Sequence, residues 1–251
     1  MALFMNLSWL LPSGKGIPVL MYHKVWPGIN DDLTITPEKL REQWEWLKNE
    51  GYSTLSLTDY LDIVSGRKQY AGKQLLITFD DGYRNNLTYA YPLLKELGWQ
   101  ATFFIIAGTL DGAIPALPDG PDQKMSPAEL RTLDPANVQL ALHGYKHENM
   151  GNINLTASAD ALQRSMQAFE HIGLPWHKVL AYPYGARPGK DLPRLKQLMT
   201  GMGVTAAFRI GNKVSEVPSA DMYELKRIDI RGTDSLTDFK IKLKKGKLKP
   251  F

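Results

Sequence analysis

Short apolar runs alternate with amphipathic stretches along most of the chain. Runs rich in Val, Ile, Leu, Phe and Tyr predict strands over 18–23 (PVLMYH), 52–57 (YSTLSL), 74–79 (QLLITF) and 101–106 (ATFFII). Four more follow at 137–142 (NVQLAL), 178–182 (KVLAY), 203–208 (GVTAAF) and 225–230 (LKRIDI). Several are continuously apolar, the pattern of parallel strands covered on both faces. Helical patterns lie between them, most clearly at 37–50, where Thr36 is the N-cap, Pro37 takes the first position and Gly51 closes the helix. Further helices are predicted over 58–65, 84–97, 126–133, 156–172, 190–201 and 234–245. Repeated strand–helix units predict an α/β fold, either a barrel or a doubly wound sheet. The segment 107–127 reads as a loop following a strand, which a barrel would carry on its rim. No linker or repeat divides the chain. The expected organisation is an N-terminal arm at 1–16, one barrel domain at 17–239 and a Lys-rich tail at 240–251.

Composition narrows the chemistry. The 251 residues are 43% hydrophobic and 22% charged, which suits a folded domain with a substantial core. The chain contains no cysteine, so disulfides, thiolate metal sites and cysteine nucleophiles are excluded, and any metal must be held by His and carboxylate. The net charge of +4 is concentrated at the end: residues 240–251 carry six lysines and no acid, leaving the body slightly acidic. A basic stripe on a folded element is missing, so no nucleic-acid partner is expected.

The reactive residues fall at one end of the predicted strands. His23 ends the first; Asp80 and Asp81 end the third; His143 and His147 follow the fifth; Tyr182-Pro183-Tyr184-Gly185 follows the sixth. In a barrel these C-terminal ends converge on the rim where active sites are built. Gly82 permits a positive φ that could swing both Asp80 and Asp81 toward that rim. Two adjacent acids repel and need a cation or a hydrogen-bond network. From the residues alone, an Asp-capped turn before a helix near Arg84 explains them equally well. The i, i+4 histidines would sit on one side of a helical turn, a spacing suited to chelation, although structural histidines are commoner. His171 and His177 lie away from the rim and read as surface or structural residues.

With these residues marked, the chain resembles the polysaccharide deacetylases, the NodB-homology family also called carbohydrate esterase family 4. Thr78-Phe79-Asp80-Asp81-Gly82 matches the first motif, His143-Gly144-Tyr145-Lys146-His147 the second, and Tyr182-Pro183-Tyr184-Gly185 the third without its leading Arg, which is Ala181 here. The resemblance implies a distorted (β/α) barrel of seven or eight strands. It further implies a metal-dependent hydrolase that removes N-acetyl groups from an N-acetylhexosamine glycan or a lipid-linked precursor. Asp81, His143 and His147 would bind one divalent metal ion, zinc by resemblance, with Asp80 as base and the Tyr184 backbone N–H at the oxyanion. The usual late catalytic His is absent. Met21-Tyr22-His23 is similar to the early Tyr-His of a permuted branch that includes poly-N-acetylglucosamine deacetylases, which assigns the acid to His23. Arg227 is the candidate replacement for the missing Arg beside Asp80. The alternatives are a small non-sugar amide as substrate, or a non-catalytic glycan-binding barrel. Tyr22, Trp26, Tyr83, Tyr145 and Tyr184 could stack on sugar rings or simply pack.

The apolar N-terminal stretch lacks a basic region and a convincing cleavage site, so the expected location is cytoplasmic. The tail lysines, interleaved with Phe239, Ile241 and Leu243, could hold the enzyme against an anionic inner-membrane surface.

Overall fold

The computed structural model describes residues 16–246. Seven parallel strands pair in chain order: β1 (Val19–Tyr22), β2 (Gln74–Phe79), β3 (Ala101–Ile105), β4 (Val138–Leu142), β5 (His177–Ala181), β6 (Ala206–Ile210) and β7 (Leu225–Asp229). Strand β7 pairs with β1 through Ile228↔Leu20, and β1 with β2 through Val19↔Leu76, which closes the barrel. An eighth, two-residue strand, Ser53–Thr54, lies parallel to the start of β2. It is shorter than the predicted 52–57 because Ser56 caps the next helix through the Asp59 N–H and Leu57 already belongs to that helix.

The helices are α1 (Pro37–Asn49), α2 (Leu57–Val64), α3 (Tyr91–Leu97), α4 (Pro127–Leu130), α5 (Leu155–Ile172), α6 (Leu192–Gly201) and α7 (Leu236–Lys245). Thr36 and Pro37 open α1 as their chemistry dictates. The predicted helix 84–97 is interrupted: Asn86–Ala90 forms a π-helical turn before α3. The predicted strand 203–208 starts later, at Ala206, because Gly203 (φ +80°) completes the turn that ends α6.

Side chains alternate across each stave. Leu20, Ile77, Phe103, Leu142 and Leu180 point outward into a core shared with the helices. Val19, Leu76, Phe104, Val179, Phe208 and Leu225 form a second, inner core together with Leu57, Leu61 and Val64 of α2, so α2 plugs the end of the barrel where the strands begin. The same alternation carries upward. His23 follows Val19 and Met21, Asp80 follows Leu76 and Thr78, His143 follows Ala141, and Arg227 follows Leu225. All four therefore lie on the inward side at or near the open end.

Helix α7 runs across the 239/240 boundary, and residues 247–251 of the Lys-rich tail lie outside the described residues, as does the N-terminal arm up to residue 15. Phe239 and Leu243 are buried in the core, so they are not available to enter a bilayer as the interleaved pattern suggested. Lys242 is buried too: its ammonium meets Asp234 Oδ2 at 2.6 Å and the Asp229 carbonyl at 2.9 Å. Among the described residues no helix is long and apolar enough to cross a membrane.

Removing one partner of a buried ion pair typically costs about 3–5 kcal/mol. Lys242→Ala should therefore lower the unfolding free energy by about 3 kcal/mol in urea titration. A change below about 1 kcal/mol would mean that Asp234 is satisfied by the Arg231 N–H alone.

Candidate active site

The site is built where β2 ends. Asp80 keeps the inward direction of Thr78 and meets Arg227 of β7 in a bidentate pair, Nη1–Oδ1 2.6 Å and Nη2–Oδ2 2.7 Å. Arg227 is completely buried, also reaches Thr78 Oγ1 at 3.3 Å, and has its guanidinium 5.4 Å from the Phe104 ring centroid. Burial opposes ionisation of Asp80, but the guanidinium, with His143 and His23, holds its carboxyl below the usual range.

By alternation Asp81 would point outward. Instead Asp81 itself takes φ +72° and Gly82 φ +71°, which turns the carboxylate back over the barrel mouth. The expected freedom of Gly82 is thus only half of the device. The rim segment holds this turn: the Met125 N–H donates to the Gly82 carbonyl and the Arg84 N–H to the Gln123 carbonyl. Asp81 Oδ1 lies 3.3 Å from both His143 Nε2 and His147 Nε2. Despite burial, His143 and then Lys124 hold the Asp81 carboxyl well below the usual range.

His143 Nδ1 lies 2.8 Å from the Ala181 carbonyl, which fixes it as an N–H and turns Nε2 toward Asp81. His147 does not share a helical turn with it. Gly144 (φ +76°) and His147 (φ +60°) fold a loop, and the Glu148 carboxylate closes it by accepting from the Tyr145 and Lys146 N–H groups. The expectation of a helical turn is corrected, while the convergence of the two rings stands, their centroids 4.9 Å apart. Burial pushes His147 down to about 4. Burial would lower His143 as well, but the carboxylates of Asp80 and Asp81 reverse this and raise it.

One ligand atom each from Asp81, His143 and His147 falls within 4.8 Å of the others. Asp81 Oδ1 is buried with no hydrogen-bond donor, while both oxygens of Asp80 are occupied by Arg227. A buried carboxylate oxygen facing two imidazole Nε2 atoms fits a divalent cation once both rings are neutral. The two adjacent acids are thus sorted by their partners, one to a guanidinium and one to a pair of imidazoles.

His23 Nε2 lies 4.0 Å from Asp80 Oδ2, and burial lowers its pKa against the pull of both carboxylates. Tyr184 (φ +59°) sits on the rim with its ring 4.3 Å from that of His147. Of the five aromatics expected near the rim, Tyr184 is exposed, at 63%. Tyr22, Tyr83 and Tyr145 are buried, Tyr22 donating to Gln43 and Tyr145 to Asp111, and Trp26 is partly buried against Tyr89. His177 starts β5 at the opposite end of the barrel, and His171 is exposed on α5.

Two residues escaped the sequence reading. Glu148 was hidden because its role is to bond backbone within its own loop. Lys124 comes from the rim segment through an isolated bridge to Tyr83. Its ammonium stands 3.1 Å from the Tyr83 ring centroid and 3.9 Å from Asp81 Oδ2, and burial pushes it down to about 8. No local pattern could have paired positions so far apart.

Comparison with known proteins agrees with this fold. A family profile described as polysaccharide deacetylase matches residues 67–206. YxkH of Bacillus subtilis, assigned to the polysaccharide deacetylases, is 25% identical over 214 residues, covering 85% of this chain and 71% of that protein. A poly-beta-1,6-N-acetyl-D-glucosamine N-deacetylase of Staphylococcus aureus is 24% identical over 204 residues, 78% of this chain and 67% of that protein. Among solved structures, the deacetylase PplD of Streptococcus pyogenes superimposes with a TM-score of 0.76 at 19% identity, covering 91% of this chain and 98% of that one. IcaB of Ammonifex degensii gives 0.75 at 23% identity, covering 92% and 98%. At these identities the structural likeness speaks for the fold.

Two measurements test the site. Arg227→Met strands the Asp80 carboxylate without its counter-charge and should destabilise the protein by about 3–5 kcal/mol in chemical denaturation. A neutral outcome would show that Asp80 is not charged in the fold. Because the raised His143 retains a proton that an incoming ion must displace, Zn(II) affinity should weaken as pH falls, by about tenfold per unit for each displaced proton. Chelator competition across pH reads this directly, and a flat profile would remove His143 from the ligand set.

Proposed function

The chain belongs to the polysaccharide deacetylase family, and we propose that it hydrolyses the N-acetyl groups of a β-linked N-acetylglucosamine glycan with Asp80 as base and His23 as acid. The observation that carries this reading is the division of labour between neighbours: Asp80 is ionised by Arg227 while Asp81 faces the two imidazoles. The named Staphylococcus relative acts on poly-β-1,6-N-acetylglucosamine, which makes that polymer the first substrate to try. A lipid-linked N-acetylhexosamine glycan precursor is the second.

Asp81, His143 and His147 would hold a divalent ion, zinc by its preference for imidazole and carboxylate. Bound there, it supplies a Lewis acid that polarises the acetamide carbonyl and lowers the pKa of water toward ~7. Asp80 Oδ2 takes the proton of the attacking water. Arg227 keeps that oxygen ionised and fixed between turnovers. The Tyr184 backbone N–H, on the positive-φ turn beside His147, donates to the developing oxyanion; losing one such donor commonly costs ~10²–10³ in rate.

The departing amine needs a proton, since an amide anion is a very poor leaving group. His23 Nε2 lies 4.0 Å from the oxygen that has just accepted one. The proton passes from Asp80 to His23 and on to the amine, so that a free amino sugar and acetic acid, which ionises to acetate in water, leave with both residues reset. The lowered pKa of His23 suits this relay, because the imidazole begins neutral and surrenders its proton readily.

Acetate release from β-1,6-linked N-acetylglucosamine oligomers should stop on chelation and return with Zn(II). No release from a metal-loaded protein would overturn the proposal. Asp80→Asn should keep the metal and lose ~10²–10⁴ in kcat. His23→Ala should retain metal and lose far more activity toward the amide than toward a 4-nitrophenyl ester, whose leaving group needs no proton. Equal losses on the two substrates would take the acid role from His23.

A further inference from the structure

We propose that Glu148 is a positioning residue for His147, and that through it the loop between the two histidines sets how tightly the site holds its ion. The proposal rests on the reading of Asp81, His143 and His147 as ligands and extends it to the residue that follows the last of them. The two imidazoles are held in different ways. His143 directly follows β4: its backbone N–H donates to the Ile105 carbonyl at 2.9 Å, and its ring is fixed by the Ala181 carbonyl. His147 has neither device. Among the described residues its backbone N–H and carbonyl have no hydrogen-bond partner, and its ring meets only Asp81 Oδ1 and the Tyr184 ring. A ligating imidazole is ordinarily oriented by a partner outside the ligand set, and losing that partner costs about 10–100-fold in affinity.

For His147 the orientation comes through the backbone. Glu148 Oε2 accepts from the Tyr145 N–H at 3.0 Å and Oε1 from the Lys146 N–H at 2.9 Å. The carbonyls of the same two peptides are bonded from the other side. The Ala107 N–H donates to the Gly144 carbonyl at 3.0 Å and the Gly108 N–H to the Tyr145 carbonyl at 2.7 Å. Each peptide is therefore held at both ends, by the rim segment and by one carboxylate. Bonds to an ionised acceptor are the stronger kind. They support the left-handed φ of +60° that turns the His147 ring toward Asp81.

Position 144 is matched to this carboxylate. Gly144 takes φ +76°, and a Cβ placed there would lie 3.0 Å from Glu148 Oε2 and 3.2 Å from Pro183 Cγ. A side chain at 144 would press on the oxygen that holds the Tyr145 N–H. Gly144 and Glu148 thus work as a pair, the one leaving the space that the other occupies.

Glu148→Gln keeps the size of the side chain but sets an amide NH2 against one of the two N–H donors. Chelator competition at constant pH should show the Zn(II) Kd raised by about 10–100-fold. The visible spectrum at saturating Co(II) should match wild type, because all three ligands remain. Gly144→Ala should weaken binding in the same direction. Its cost should shrink in a Glu148→Ala background, where the oxygen it presses on is gone while the backbone strain is common to both. An unchanged Kd in Glu148→Gln, or a loss of metal-free stability with affinity intact, overturns the positioning role. An altered Co(II) spectrum overturns it too, by placing Glu148 in the ligand set. Strictly additive effects of Gly144→Ala and Glu148→Ala overturn the pairing. Wild-type protein that binds no Zn(II) overturns the ligand reading and the proposal with it, whereas tight wild-type binding with unaffected variants removes Glu148 alone.

Discussion

The Asp80–Arg227 pair is the interaction on which the rest of the site depends. A guanidinium with no solvent exposure is tolerable only beside a fixed carboxylate, and a buried carboxylate stays ionised only beside a fixed cation. Each therefore holds the other in place, and the barrel supplies the geometry by bringing β7 and β2 to opposite sides of β1. With Asp80 so occupied, the adjacent Asp81 is left to face the imidazoles. Two acids that would otherwise compete for one cation are given different ones.

That arrangement is mirrored across the site. Asp81 has Lys124 at its outer oxygen much as Asp80 has Arg227, but the contact is longer and a single point charge replaces a two-pronged fork. The stronger pairing belongs to the group that must not move. The weaker belongs to the one that shares its charge with two histidines.

Much of this was legible along the chain. The seven staves follow from apolar runs, and the inward positions of His23, Asp80, His143 and Arg227 follow from alternation once the strands are placed. The match of Arg227 to Asp80 was anticipated from a vacancy: Ala181 stands where relatives carry an arginine, and the LKRID strand offered another. What could not be read is the local backbone. Asp81 and His147 adopt left-handed conformations that a non-glycine residue takes only when its surroundings enforce it. The enforcing bonds come from Gln123 and Met125 in one case and from Glu148 in the other. The periodicity of the histidines suggested a helix for the same reason that it suggested chelation, and the folded chain brings the two rings together without the helix. Likewise Phe239 and Leu243 show an interleaved pattern that serves the core, and the pattern alone does not say which neighbour an apolar face will meet.

The rim segment is secured at both ends, through Ala107 and Gly108 to the Gly144–Tyr145 loop and through Gln123 and Met125 to the Asp81 turn. Between those moorings the chain can lengthen, shorten or change composition without disturbing either anchor. The geometry of the barrel mouth and the composition of the rim are thereby placed under separate evolutionary control. A lineage could rewrite the surface between them while the barrel mouth beneath is inherited unchanged.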